Sequence, residues 1–272
     1  DAGWGLEPEL SLDLPRRLFE PRDEELDSGH ALCGPIEIRG APPGMTLEVR
    51  INEIRPGTFG LTGVGNPAEY EGLGIDRRAL LTWTLDADAM LGRDQFGHTL
   101  ALRPFMGVMG MPPDEAGMHR TGPPRFCGGN LDCKELVAGS TLYLPIAVPG
   151  GLFSVGDGHA LQGDGEVSGT AIECPMERVS LTFRLRDDLR LTMPRANTPA
   201  GWLTMGLHED LNEATAQALN GMLDLLEALY GLPRPEALAL ASLVVDMRIT
   251  QVVNGVKGVH ALLPHGRLLA MT

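Results

Sequence analysis

The clearest order in the chain is a two-residue alternation of apolar and polar positions. Between Met45 and Ile54, Leu47, Val49 and Ile51 alternate with Glu48, Arg50 and Asn52. That period sends one set of side chains to each face of an extended segment, so a strand is expected there, entered from the turn Ala41-Pro42-Pro43-Gly44. The same period recurs at Val179, Leu181, Phe183 and Leu185. Shorter apolar runs predict further strands over 80–85, 105–109, 141–148 and 167–173. The Gly-rich stretch 57–80 reads as a long excursion, and 111–124, with Pro112, Pro113, Pro123 and Pro124, as a loop. Residues 1–30, acidic and punctuated by Pro and Arg, read as an irregular N-terminal arm.

At Glu209 the period changes. Ala214, Ala218, Leu219, Met222, Leu225, Leu226 and Leu229 recur at helical spacing, with Asp210 and Glu213 placed as a capping pair and Gly231 as a stop, which predicts a helix of about five turns. Pro235 opens a second helix reaching Val245, followed by strands over 248–253 and 259–263 joined through Asn254-Gly255. The fold class read from this pattern is mainly β (α+β), a sandwich-like β core with an inserted C-terminal helical hairpin. Residues 31–272 read as one domain, with 207–246 as a helical subdomain.

Composition sharpens this picture. Thirty-five Gly and 21 Pro against 7 Phe, 3 Trp and 3 Tyr fit a fold of many short strands and tight corners. The formal charge of −14 repels a phosphate backbone, and no basic patch interleaved with aromatics offsets it, which argues against nucleic acid as a partner. No apolar run approaches the roughly twenty residues of a spanning helix, and no basic-then-apolar leader opens the chain at Asp1, so no membrane association is expected. Cys33, Cys127, Cys133 and Cys174 form no C-x-x-C pair, which points to reduced thiols and a cytoplasmic protein.

The candidate chemistry lies between Cys127 and Cys174. Asp132, Asp157, His159, Asp164, Glu166 and Glu173 crowd this glycine-rich region. Clustered carboxylates repel one another unless a cation or protons neutralise them. Asp157 and His159 are one residue apart, so in an extended segment both side chains reach one face and could share a cation. Asp132, Asp157 and His159 are therefore the candidate metal ligands. Two carboxylates and one imidazole with an open position suit a catalytic Zn²⁺ or related divalent ion, which lowers the pKa of water towards ~7. Glu173 or Glu166 could then serve as the catalytic proton carrier. The backbone at Gly129, the amide of Asn130 and Gln162 are the candidate substrate contacts. Competing readings stand beside this one: Asp157-Gly158 and Asp164-Gly165 as plain hairpin turns, a structural Ca²⁺ site in a non-enzymatic binding protein, and a Cys nucleophile beside Lys134. The other histidines, His30, His98, His119, His208, His260 and His265, are dispersed and read as loop or surface residues.

At these residues the chain resembles the acetamidase/formamidase family. The likeness is carried by GGNLDCKELVAGSTLYLPIAVPGGLFSVGDGHALQGDGEVSGTAIE at 128–173, with GPIEIRGAPPGMTLEVRI at 34–51, PFMGVMG at 104–110 and DMRITQVVNGVKGVHALLP at 246–264. The resemblance implies a mostly β amidohydrolase that cleaves small aliphatic amides to the carboxylate and ammonia, usually as a homo-oligomer, with a bound divalent metal. By matching motif it points first to Asp132 and His159. Another small C–N substrate, urea-like, guanidino or a cyclic amide, is the alternative on the same scaffold.

Overall fold

The computed structural model describes residues 29–70 and 72–268. The arm expected over 1–30 lies outside the described residues except for Gly29 and His30. In chain order the first strands are β1 (Leu32–Ile36), β2 (Thr46–Pro56), β3 (Phe59–Val64), β4 (Ala79–Asp86), β5 (Leu91–Asp94), β6 (Thr99–Ala101), β7 (Phe105–Gly110) and β8 (Gly128–Asn130). They are followed by β9 (Thr141–Pro145), β10 (Phe153–His159), β11 (Met176–Arg186), β12 (Arg195–Thr198) and β13 (Gly201–His208). Two helices, α1 (Leu211–Tyr230) and α2 (Arg234–Val244), precede β14 (Asp246–Gln251) and β15 (Lys257–Pro264).

Three antiparallel sheets result. A seven-stranded sheet has the order β11-β2-β9-β12-β13-β15-β14, and two four-stranded sheets have the orders β1-β10-β7-β8 and β3-β4-β5-β6. The main core lies between the first two. Leu47, Val49 and Ile51 of β2 meet Phe105, Met109, Phe153 and Val155, all buried, as the alternation along β2 requires. The other face of the large sheet carries α1: Ala214, Ala218, Met222 and Leu226 pack on Val259, Ala261 and Leu263 of β15. Asp210 caps α1 by accepting from the Asn212 and Glu213 amides, and Gly231 ends it in the left-handed region at φ 65°. The helix lies so close to β13 that a methyl group on Gly206 would stand 1.8 Å from the Ala214 carbonyl oxygen. Among the described residues no helix is long and apolar enough to cross a membrane.

Two expectations are corrected. The stretch 57–80 is not one long excursion, because β3 forms within it and pairs residue for residue with β4, from Phe59 with Thr84 to Val64 with Ala79. Its partner strand, rather than an apolar face of its own, specifies it. The strand expected over 167–173 does not form. Gly165, Glu166 and Gly169 have φ of 90°, 47° and 76°, which turns the chain away from an extended path, and Val167 points into solvent. Glu173 keeps a sheet-like partnership, bridging His159 on one side and Leu61 on the other.

Candidate metal centre and active site

The acids separated in sequence converge on one short strand. β7 contributes no charge, only Gly107. A methyl group on Gly107 would lie 2.3 Å from Asp157 Oδ2, 2.7 Å from Asp132 Oδ1 and 3.0 Å from His159 Cε1. Glycine is therefore required by close approach, since any side chain would occupy the space into which these groups point. Asp132 enters from the loop after β8, where the amides of Leu131 and Asp132 both donate to the Gly107 carbonyl. Asp157 and His159 come from β10, the neighbour of β7. Asp157 departs from regular extended backbone at φ 59°, and both side chains still reach the same point.

One oxygen each from Asp132 and Asp157 and a ring nitrogen of His159 lie within 4.8 Å of one another. His159, Glu166 and Glu173 form a second set with the same spread. His159 Nε2 stands 3.2 Å from Asp157 Oδ2 and 3.1 Å from Glu173 Oε2. The tautomer follows from Gln162. Its Nε2 donates to the Asp132 carbonyl at 2.7 Å, which leaves Oε1 facing His159 Nδ1 at 3.0 Å, so Nδ1 carries the hydrogen. In a neutral ring, Nε2 then directs a lone pair at two carboxylates. That arrangement holds only with a proton or a metal cation between them. Phe105 closes the far side of the ring, edge to face at 5.0 Å.

The electrostatics follow from burial and crowding. Burial and the charge of Glu166 push the Asp132 carboxyl well above its usual range. Glu166 rises to about 7, chiefly through burial. Burial would also raise Asp157, but His159 beside it, with His30 beyond, holds it low. Burial would lower His159, yet the carboxylates of Glu173 and Asp157 raise it well above an ordinary imidazole. Asp132 Oδ2 accepts from Asn254 Nδ2 at 2.6 Å, whereas its buried Oδ1 has no hydrogen-bond partner. An orphaned buried carboxylate oxygen, facing a cradle shared with a second carboxylate and an imidazole lone pair, fits a divalent cation. Asp132, Asp157 and His159 are the residues that would hold it.

The remaining sequence candidates fall around this point. Glu173 is fixed by the Ala171 amide, which donates to Oε1 at 2.9 Å. Asn130 is buried with Oδ1 unpartnered. Gly129 precedes it on β8 and pairs with Met109. Gln162, read from sequence as a substrate contact, has its amide engaged at both ends between Asp132 and His159. Asn254 escaped the sequence reading because Asn-Gly between two strands signals a turn. His30, read as a loop residue, brings Nε2 to 3.8 Å from Asp157 Oδ2. The three buried thiols, Cys127, Cys133 and Cys174, carry little nucleophilic character. Burial pushes Cys127 up to about 11, and Cys133 and Cys174 up to about 12. All four cysteines are free.

A second charged cluster adjoins the first. Glu135, buried, pairs with Arg103 and with Arg248, whose Nη1 stands 3.0 Å from Oε1. Arg248 also reaches Asp164 at 2.8 Å, and Lys134 holds the other Asp164 oxygen at 3.0 Å. Below them His260, fully buried, bonds Thr250 through Nδ1 at 2.8 Å. Its burial contradicts the loop or surface position read from sequence. The cause is its inward place on β15, opposite Arg248 of β14.

Known proteins share the sequence pattern and the fold of this chain. The model of the acetamidase/formamidase family matches residues 20–119 and 115–265. A formamidase of Methylophilus methylotrophus is 53% identical over 202 residues, covering 54% of this chain and 49% of that protein. The chain spans about half the length of the curated relatives it matches. Crystal structures of an acetamidase from Yersinia enterocolitica (27% identity, TM-score 0.79, 89% of this chain and 75% of that one) and of an acetamidase from Bacillus halodurans (29%, 0.78, 85% and 77%) share the fold. The chain belongs to the acetamidase/formamidase family.

Proposed function

We propose that this protein hydrolyses small linear amides of the formamide and acetamide type to the carboxylate and ammonia, with a divalent cation, zinc in our reading, held by Asp132, Asp157 and His159. The observation that carries the reading is the unpartnered Oδ1 of buried Asp132, aimed with Asp157 Oδ2 at the space kept open by Gly107. The imidazole among the donors favours zinc over calcium, which prefers an all-oxygen shell. A cation there would polarise the amide carbonyl and make water acidic enough to react near neutral pH.

The chain supplies the rest. Gln162 keeps the hydrogen of His159 on Nδ1 and so directs the Nε2 lone pair inward. Glu173, with one oxygen pinned by the Ala171 amide and the other facing His159, takes the proton of the attacking water and passes it to the departing nitrogen. Glu166, buried beside it, holds a proton close to neutral pH and limits the negative charge of the cluster. Asn130 offers a buried acceptor for an amide N–H, and the backbone at Gly129 lies beside it. Desolvation by the surrounding sheets strengthens each of these contacts.

The test pairs metal analysis with ammonia release from formamide and acetamide, on the wild type and on Asp132→Ala and His159→Ala. Loss of both bound metal and ammonia release in the two variants is the expected result. Full activity in both would remove the mechanism.

A further inference from the structure

Across β7 from the acid cluster lies a cavity of about 350 Å³. This is at the lower end of the range for small-molecule sites, about 300–1,000 Å³. Val108 and Gly107 are consecutive on β7, so their side-chain positions fall on opposite faces of the strand. Val108 lines the cavity and Gly107 opens on the cluster, so the cavity adjoins the amide site across β7 and shares with it the Gly129 backbone.

Its chemistry differs from that of the cluster. Val108, Met111 and Leu152 give it an apolar body, and Ser154 and Thr121 add two hydroxyls. Among the described residues no carboxylate lines it; Arg120 and Arg125 do. Among the described residues neither guanidinium has an ion-pair partner within 4.0 Å, although the chain carries 36 acidic residues against 22 basic ones. Arg125 is oriented by donating from Nη1 to the carbonyls of Arg120 (2.9 Å) and Pro123 (3.0 Å), while its other two nitrogens make no hydrogen bond among the described residues. An apolar chamber rimmed by two unpaired guanidinium groups recognises a carboxylate joined to a hydrocarbon body.

We propose that this cavity binds a small aliphatic carboxylate, its chain against Val108, Met111 and Leu152 and its charge between Arg120 and Arg125. The site stands independently of the amidase reading. It also touches the cluster, because the Thr121 hydroxyl in its wall contacts both the backbone amide and Nδ1 of His30 at 2.9 Å, and His30 Nε2 faces Asp157. Occupation is therefore felt at the His30 ring.

The experiment is a calorimetric and methyl-NMR titration of the whole chain with pentanoate, alongside its neutral isostere pentanamide in the His159→Ala background, where amide turnover is disabled. Pentanoate is expected to bind and shift the methyl signals of Val108 and Leu152. The exposed substitution Arg120→Glu is expected to weaken it at least about tenfold, and pentanamide to bind correspondingly less well. His159→Ala, which disables the amide site, is expected to keep the wild-type affinity for pentanoate. Equal affinity of wild type and Arg120→Glu, equal affinity for acid and amide, or loss of pentanoate binding in His159→Ala would each overturn the assignment. The last result would assign the acid to the metal centre instead.

Discussion

Two acidic clusters sit side by side, built from the same two loops, and differ in what neutralises them. The loop after β8 gives Asp132 to one and Glu135 to the other; the turn after β10 gives Glu166 to the first and Asp164 to the second. Around Glu135 and Asp164 the chain brings Arg103, Lys134 and Arg248, three cations for two carboxylates. Around Asp132, Asp157, Glu166 and Glu173 it brings His159 within the set and His30 at the rim. The Glu135–Asp164 cluster is complete in itself. The Asp132 cluster holds more negative charge than its own side chains balance, and an imbalance that folding leaves buried is the mark of a place for something else.

The strongest way to break this comparison is to unbalance the complete cluster. Glu135→Ala leaves Arg103 and Arg248, both partly in solvent, without their shared buried acceptor, and denaturant unfolding should register a loss of about 2–3 kcal/mol. A loss under about 1 kcal/mol would show that the two clusters do not differ in kind. Of similar size is a pH effect beneath the same cluster. Burial lowers His260 from 6.5 to about 4, with Asp164 and Glu135 opposing and Arg248 and Lys134 reinforcing the shift. The unfolded chain therefore binds a proton below pH ~6.5 that the folded chain refuses until pH ~4. Its contribution to stability is full above ~6.5 and is lost as pH falls through that window, by roughly 3 kcal/mol at most. The stability of His260→Gln should fall less steeply between pH 7 and 4, and parallel curves for the two proteins would contradict this.

Gln162→Leu sharpens the other side. Freed from Gln162, His159 loses its fixed tautomer, and an affinity loss of about 10–100-fold is expected in zinc titrations, with the fold retained by circular dichroism. The smallest effect has the opposite sign to ordinary core damage. Glu166→Gln removes one carboxylate from the overcharged cluster, so in chelator-treated protein above pH ~8, where Glu166 has given up its proton, the melting temperature should rise, by about 2–4 °C for each kcal/mol of relieved repulsion. A fall would mean that Glu166 is compensated in ways the geometry does not contain.

How far the sequence foretold this depends on where the physical signal resides. β2 and α1 were legible because each buries one face against a large core, and burial writes a period into the chain: Leu47, Val49 and Ile51 in one, Ala214 to Leu226 in the other. β3 and the hairpin of β5 and β6 were not, since these small strands are held by backbone pairing and leave much of their surface in water. The run 167–173 misled in the other direction. Its apolar residues look like a strand, but the positive φ at Glu166 and Gly169 is a backbone property with little trace in hydropathy. At the site, Asp132, Asp157 and His159 stood out as chemistry in a glycine-rich setting. Gly107 and Asn254 did not, because one acts by lacking a side chain and the other is disguised as a hairpin turn. His260 was misjudged because a lone histidine between apolar residues carries no label of its environment.

The shared origin of the two clusters has a consequence for the order of events in the protein's life. Since Arg248 ties Glu135 to Asp164, the segments bearing Asp132 and Glu166 are anchored from within, whatever the solution supplies. On the proposed reading, in which a cation completes the Asp132 cluster, maturation would separate into two stages, a framework that forms on its own and a late loading step, and the fraction of working molecules would track the ions on offer rather than the amount of chain synthesised.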